Sequence, residues 1–429
     1  MTRSPRDPKS AGARPREPRS SRSPLATNAP IAVVLSIIGL VVIAFGTFAL
    51  GSGDLPFAIG GSGQGATGGG GGGGGGPTRT ATPSNVVVVP SDVPQGVKVP
   101  GTIVYSKDGN IWLQANGQAT QLTTGGNDSM PSFSADGTTV YFIRTRSVRG
   151  YWTVSGTTSY YDMDVPSVVT IPTAGGSVTK ILDGLINPPG RGQWMSFIRE
   201  PVVSPNGNTL ALATDLPDPT RNNVVLQLFN LKTKRLKNPG VPQVPPLGHQ
   251  DPAWRPDGTV IAYVYNNRDG ATGIPQIYGY TVATGKARPI SGPGYLHPSW
   301  SPDGKYLAVT KTSAYGTDVA ILNASTGAEL MKVTNDGSSW GPAWSPAGDQ
   351  IAFLHVSGQV VDLRMVQLSG APGNWTVGDT VDLTQNAGLD SLSRPDWFVP
   401  VDQMPIPTQA PTSSAAPSDA SPSPSPSGS

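Results

Sequence analysis

The chain has 429 residues, including 54 glycines and 44 prolines; 14% of its residues are charged and its formal net charge is +2. It contains no cysteine, which excludes disulfides, thiol catalysis, cysteine-ligated metals and a lipid-modified N-terminal cysteine. The charge is uneven: residues 1–29 hold seven bases against Asp7 and Glu17, leaving 23 bases and 26 acids elsewhere. A near-neutral folded part argues against a nucleic-acid partner, whose phosphates demand a basic face.

Residues 1–29, rich in Arg, Pro and Ser, have too few apolar side chains to offset the entropy of ordering and read as a disordered basic tail. Residues 30–50 follow, and from Ile31 onward they run twenty residues without a charge (IAVVLSIIGLVVIAFGTFAL), long enough at helical rise for the ~30 Å hydrocarbon core of a bilayer. This predicts a transmembrane helix. The basic flank on its N-terminal side places the N-terminus in the cytoplasm and the remainder outside, in a single-pass arrangement. Secretion after signal cleavage is the alternative, because Ala49 and Gly51 form a small-residue pair at its end. Residues 51–100 are a linker with nine consecutive glycines at 68–76, a coil spanning roughly 40 Å. Residues 401–429 turn to Pro, Ser, Ala and Thr and read as a solvated tail with no core of its own.

The stretch between, 101–400, carries one motif six times: PSFSADG at Pro131, PVVSPNG at Pro201, PAWRPDG at Pro252, PSWSPDG at Pro298, PAWSPAG at Pro342 and the truncated PDWFVP at Pro395. Each copy has Pro two residues before an apolar anchor, in turn Phe133, Val203, Trp254, Trp300, Trp344 and Trp397. Ser-Pro-Asp-Gly sets Pro where φ is fixed and Gly where φ is positive, so it reverses the chain between antiparallel strands. The runs that begin seven residues after each complete anchor (Val140, Leu210, Ile261, Leu307, Ile351) are apolar without alternation, as expected of strands covered on both faces. Four strands per repeat is one propeller blade. Residues 101–123 read as strands two to four without a first, and the sixth motif as a first strand alone. Joining them predicts an all-β, six-bladed β-propeller whose terminal strands close one blade and leave no open sheet edge.

The PxWSPDGxxIAF pattern resembles the TolB-type propeller repeat, found also in the N-terminal propellers of prolyl-oligopeptidase-like peptidases. The resemblance covers about residues 101–400. It implies a binding platform for a protein or peptide partner in the cell envelope, since family members serve as protein-binding platforms, substrate gates and occasional enzymes. This sequence departs from the pattern at Asn206 and Ala347, which replace the turn Asp, and in the 70-residue spacing after the first copy.

Residues just before each motif Pro should ring the mouth where loops enter the innermost strands: Met130, Glu200, Asp251, His297, Gly341 with Trp340 before it, and Arg394. The position is polar or charged in four copies and repeats its residue type in none, which a purely structural position would not do. We therefore read Glu200, Asp251, His297, Trp340 and Arg394, beside Met130, as a mixed-charge rim for a peptide, against the alternative of solvated residues in internal ion pairs. An insertion at 144–161 adds Arg144, Arg146 and Arg149 to Tyr151, Trp152, Tyr160 and Tyr161, the composition of interface anchors. A second, at 185–200 with Trp194, Met195 and Phe197, should join it on the same face; the alternative is that these aromatics only cover the first blade.

Nothing implies a cofactor, metal or catalytic residue. No hydrolase segment follows the propeller, so the peptidase branch lacks its chemical half. The histidines His249, His297 and His355 are scattered, and Asp162-Met163-Asp164 falls short of a Ca²⁺ cage. The reading is a membrane-anchored extracytoplasmic protein- or peptide-binding scaffold. The alternative is an enzyme acting on glycans or peptides, with Glu200 and Asp251 as acid and base.

Overall fold

The computed structural model describes residues 93–94, 97, 99–219, 221–242, 248–266 and 274–404. The expected membrane helix, most of the linker and nearly all of the C-terminal tail lie outside these residues. Among the described residues no helix is long and apolar enough to cross a membrane.

Six antiparallel sheets follow one another along the chain, one per motif copy. Their innermost strands are Asp128–Phe133, Ile198–Val203, His249–Trp254, Tyr295–Trp300, Ser339–Trp344 and Asp396–Phe398. The last of these pairs with Thr102–Lys107 in the register Thr102↔Phe398, Ile103↔Trp397 and Val104↔Asp396. The two ends of the folded stretch therefore share the closing blade, as the motif count requires, and the fold is an all-β six-bladed propeller.

The core lies in six wedges between neighbouring sheets. Each apolar cluster draws on two adjacent blades; one joins Ile103, Trp112 and Trp397 of the closing blade to Trp340, Leu354 and Leu363 of the fifth. Covering a sheet on both faces explains the unalternating second strands: Val140, Leu210, Ile261, Leu307 and Ile351 are all fully buried. Indole donors tie blades together as well, since Trp254 Nε1 donates to Val202 O (3.1 Å) and Trp300 Nε1 to Ala253 O (3.0 Å).

The turns show why the sequence departures are tolerated. Asp136 Oδ1 accepts from Ser134 Oγ (2.6 Å) and Thr138 N (3.1 Å), and Asn206 Oδ1 accepts in the same way from Ser204 Oγ (2.8 Å) and Asn208 N (3.1 Å). Asparagine thus keeps the turn's acceptor. Ala347 has none, and its own N–H donates instead to Ser345 Oγ (3.2 Å).

Candidate functional site, a central cavity above a charged plug

Five of the six positions before the motif Pro share one backbone state. Met130, Glu200, Asp251 and His297 have φ of 53°, 55°, 52° and 50°, and Gly341 has 61°. Side chains rarely adopt this left-handed region, which costs roughly 1–3 kcal/mol per residue. Each sits at a register shift of its innermost strand, a bulge that frees the peptide from the ladder.

Four of the five N–H groups at these positions are caught by the preceding blade. Asp251 N donates to Glu200 Oε2, His297 N to the Asp251 carboxylate, Gly341 N to Thr310 Oγ1 (2.9 Å) and Met130 N to Ser393 Oγ (2.8 Å). Hydrogen bonds at this level therefore link four of the six neighbouring blade pairs. They explain how one backbone requirement coexists with five residue types, which the sequence alone read as the mark of a non-structural position.

Arg394 breaks the pattern, and its guanidinium does what no neighbour does. Its Nε lies 3.4 Å from Asp251 Oδ1, and its Nη1 donates to Pro298 O at 3.2 Å. The closing blade carries Arg394 and the third blade carries Asp251; these are opposite in a cycle of six, so the pair spans the axis and plugs the channel. His297 Nε2 stands 3.7 Å from Asp251 Oδ2, and its Nδ1 meets Thr310 Oγ1 at 2.9 Å. Burial, then the neighbouring carboxyl of Asp251, holds Glu200 above the ordinary range. Asp251 is raised by burial, opposed by Arg394 and Arg199. Burial, and then Arg394, pushes His297 down to about 3, so this imidazole is neutral at pH 7.

From this plug a cavity of about 620 Å³ opens toward the turns between first and second strands. All six motif anchors, Phe133, Val203, Trp254, Trp300, Trp344 and Trp397, line it, with turn prolines such as Pro256 and Pro302 at its rim and Met130, Glu200 and Arg394 at its floor. The expected rim is thus a mid-channel ring. Trp340 does not belong to it: the residue before the left-handed position points into the wedge between blades, where Trp340 is buried and its Nε1 donates to Ser391 O (3.0 Å).

The aromatic insertions meet each other but not this cavity. Strands Thr139–Val154 and Thr157–Pro172 form one long hairpin that leaves the first blade at the end away from the turns, beyond the Asp128↔Arg144 pair. Strand Gly192–Met195 of the second insertion adds to it through Tyr151↔Gln193 and Trp152↔Gly192. Gly192 is required here, since a Cβ would stand 2.2 Å from Tyr151 O. Trp194 stacks between Trp152 (5.8 Å) and Tyr161 (5.1 Å), while Tyr160 is 64% exposed. The arginines are internally paired: Arg144 with Asp128 (2.6 Å), Arg146 with Asp183 (2.8 Å) and Arg149 with Asp162 (3.2 Å). The residues expected at the mouth therefore lie in the channel, except Trp340 in an interblade wedge, and Tyr151, Trp152 and Trp194 of the insertions meet each other at the end away from the turns.

The histidines do not converge, and among the described residues no group of three or more His, Asp or Glu is placed to hold a metal ion. His249 is buried; its Nδ1 accepts from Leu226 N (2.9 Å) and its Nε2 faces Pro242 O (2.6 Å). Burial lowers its pKa to about 4, against the opposing Pro242 carbonyl. The unfolded chain takes up a proton near pH 6.5 and the folded one only near 4, so stability falls as pH drops through that window. His249 alone should cost about 3 kcal/mol between pH 7 and 4. His249→Asn, which keeps an acceptor for Leu226 N, should flatten the acid limb of a melting-temperature profile; an unchanged slope would mean that His249 titrates normally.

A closed ring of six antiparallel sheets, five of four strands and one of six, with a cavity on its axis defines the class, a six-bladed propeller. Residues 193–375 match the model of the TolB beta propeller domain family, and the fold is TolB-like. An uncharacterized protein of Agrobacterium fabrum is 27% identical over 178 residues, 40% of this chain and 56% of that relative. Among solved structures, TolB from Acinetobacter baumannii is 18% identical with a TM-score of 0.49, over 69% of this chain and 66% of that one. Oligogalacturonate lyase from Vibrio parahaemolyticus is 14% identical with a TM-score of 0.39, over 62% and 91%. The matched stretches thus span less than two thirds of the first two relatives.

Proposed function

We propose that this protein is a membrane-anchored, extracytoplasmic scaffold that binds an extended protein or peptide segment in its central cavity. The observation that carries the reading is the blind, aromatic- and proline-walled cavity whose polar floor is already satisfied. Arg394 pairs with Asp251 there and His297 is neutral, so the floor asks little of a ligand beyond shape and apolar surface. The uncharged run at 31–50 with its basic flank supports the anchor and its orientation. The exposed hairpin aromatics offer a second contact surface on the opposite face.

One observation favours an enzyme acting on glycans or peptides instead: Glu200, held above its ordinary range, lines the cavity as a general acid would. Its Oε2 is committed to Asp251 N, and Asp251 to Arg394, which leaves no free base beside it. Peptides selected from a display library on the full chain test the reading. Ala135→Trp, which obstructs the rim from an exposed turn, should weaken them at least tenfold, while Tyr160→Ala should not. Binding indifferent to Ala135→Trp would refute a cavity site.

A further inference from the structure

We propose that the chain supplies a ligand for its own cavity: residues 405–411 (PIPTQAP), which follow the last described residue, occupy the space above the plug and exclude outside peptides until displaced. The inference rests on the peptide-binding reading of the cavity.

Three observations converge on it. The closing strand Asp396–Phe398 runs toward the turns, and the single turn Val401–Gln403 after it is pinned by Gly101 N donating to Gln403 Oε1 at 3.0 Å. Met404, half-buried against the closing-blade core, is itself part of the cavity wall. Residue 405 therefore starts at the rim, not at a remote surface.

The wall also selects the chemistry. Turn prolines and tryptophan edges surround the space, and the floor's charges are mutually compensated. The complement is an uncharged, apolar, extended segment. Proline-rich stretches dock on aromatic-lined grooves because they are already extended and lose little entropy. Residues 405–411 hold three prolines, one isoleucine and no charge.

Length and proximity agree. From ring to turn is five residues of strand, about 17 Å. Seven residues in a polyproline conformation reach roughly 22 Å. A short tether gives an effective concentration on the order of millimolar, so a free peptide of comparable fit is outcompeted. The tail is too poor in apolar residues to build a core, yet a short apolar stretch can use one that exists.

Two measurements on the full chain test this. With p-benzoylphenylalanine in place of Ile406, photolysis should give intramolecular cross-links to the cavity walls at 252–256, 298–302 or 342–346. Cross-links elsewhere, or only between molecules, would overturn the proposal. In the second, a synthetic peptide of residues 405–416 should bind Ile406→Asp at least tenfold more tightly than the unchanged chain; equal affinities would overturn it too. Should the tail measurements fail while library peptides still bind Ile406→Asp in an Ala135-dependent way, self-occupancy falls and the cavity reading stands. If neither kind of peptide binds Ile406→Asp, both fall.

Discussion

A chain ending at Ser393 is expected to lose its cooperative unfolding transition, whereas one ending at Met404 should keep it. The difference is eleven residues holding the innermost strand of the closing blade, and no other short segment closes the ring. Without Asp396–Phe398 the strand Thr102–Lys107 becomes a bare edge beside the channel. Both flanking wedges lose members at once. On one side goes Trp397, 5% exposed, whose Nε1 donates to Pro100 O at 2.8 Å. On the other go Phe398, 5.8 Å from the Phe133 ring, and the Asp396 oxygen that accepts from Phe133 N at 2.8 Å. Truncating a single buried tryptophan costs about 3–5 kcal/mol, and here an entire strand is removed from a domain whose total stability is on the order of 5–15 kcal/mol. Calorimetry and limited proteolysis of the two chains would decide. A sharp transition from the Ser393 chain would show that five blades and a partial sixth suffice.

The fold was legible because one repeat states it six times. Seven-residue spacing from anchor to second strand, and the incomplete sixth copy, were enough to derive blade number and ring closure. That the positions before the motif Pro share one level of the ring was legible too, but not their backbone state. Nothing in the residue types Met130, Glu200, Asp251 and His297 announces a shared left-handed backbone, because the conformation is imposed by the bulge and satisfied by neighbouring blades, not by the side chain that adopts it. Only Gly341, in the fifth copy, carries a local signal for positive φ. Arg394 reaches Asp251 across the axis, a contact between residues far apart in sequence that exists only once the ring is closed. Trp340 was misplaced for a simpler reason: one residue along a strand reverses the face a side chain presents. The hairpin's face was within reach of strand counting, since an insertion after a second strand returns to the end opposite the turns.

Arg394→Met should destabilise the protein by about 3–5 kcal/mol at neutral pH, on the order of a 10 °C loss in melting temperature. With Arg199, the arginine opposes burial of two carboxyl groups, lowering both Glu200 and Asp251 toward ionisation. Its removal leaves Asp251, 4% exposed, with Arg199 as the remaining opposing cation and the neutral His297 beside it. Breaking such a pair from one side strands the other charge, which is why the cost exceeds the worth of the ion pair itself. The pH dependence identifies the cause. In the variant the folded carboxyls hold their protons to higher pH than in the unfolded chain, so the folded state binds more protons across that interval. Stability then falls as pH rises, and the deficit against the parent should be smaller at pH 5 than at pH 8. Asp251→Asn combined with Arg394→Met removes the stranded charge and should restore a large part of the loss. A pH-independent deficit, or a double variant no more stable than Arg394→Met, would mean that Arg394 acts by filling the axis and by its 3.2 Å bond to Pro298 O, not by charge.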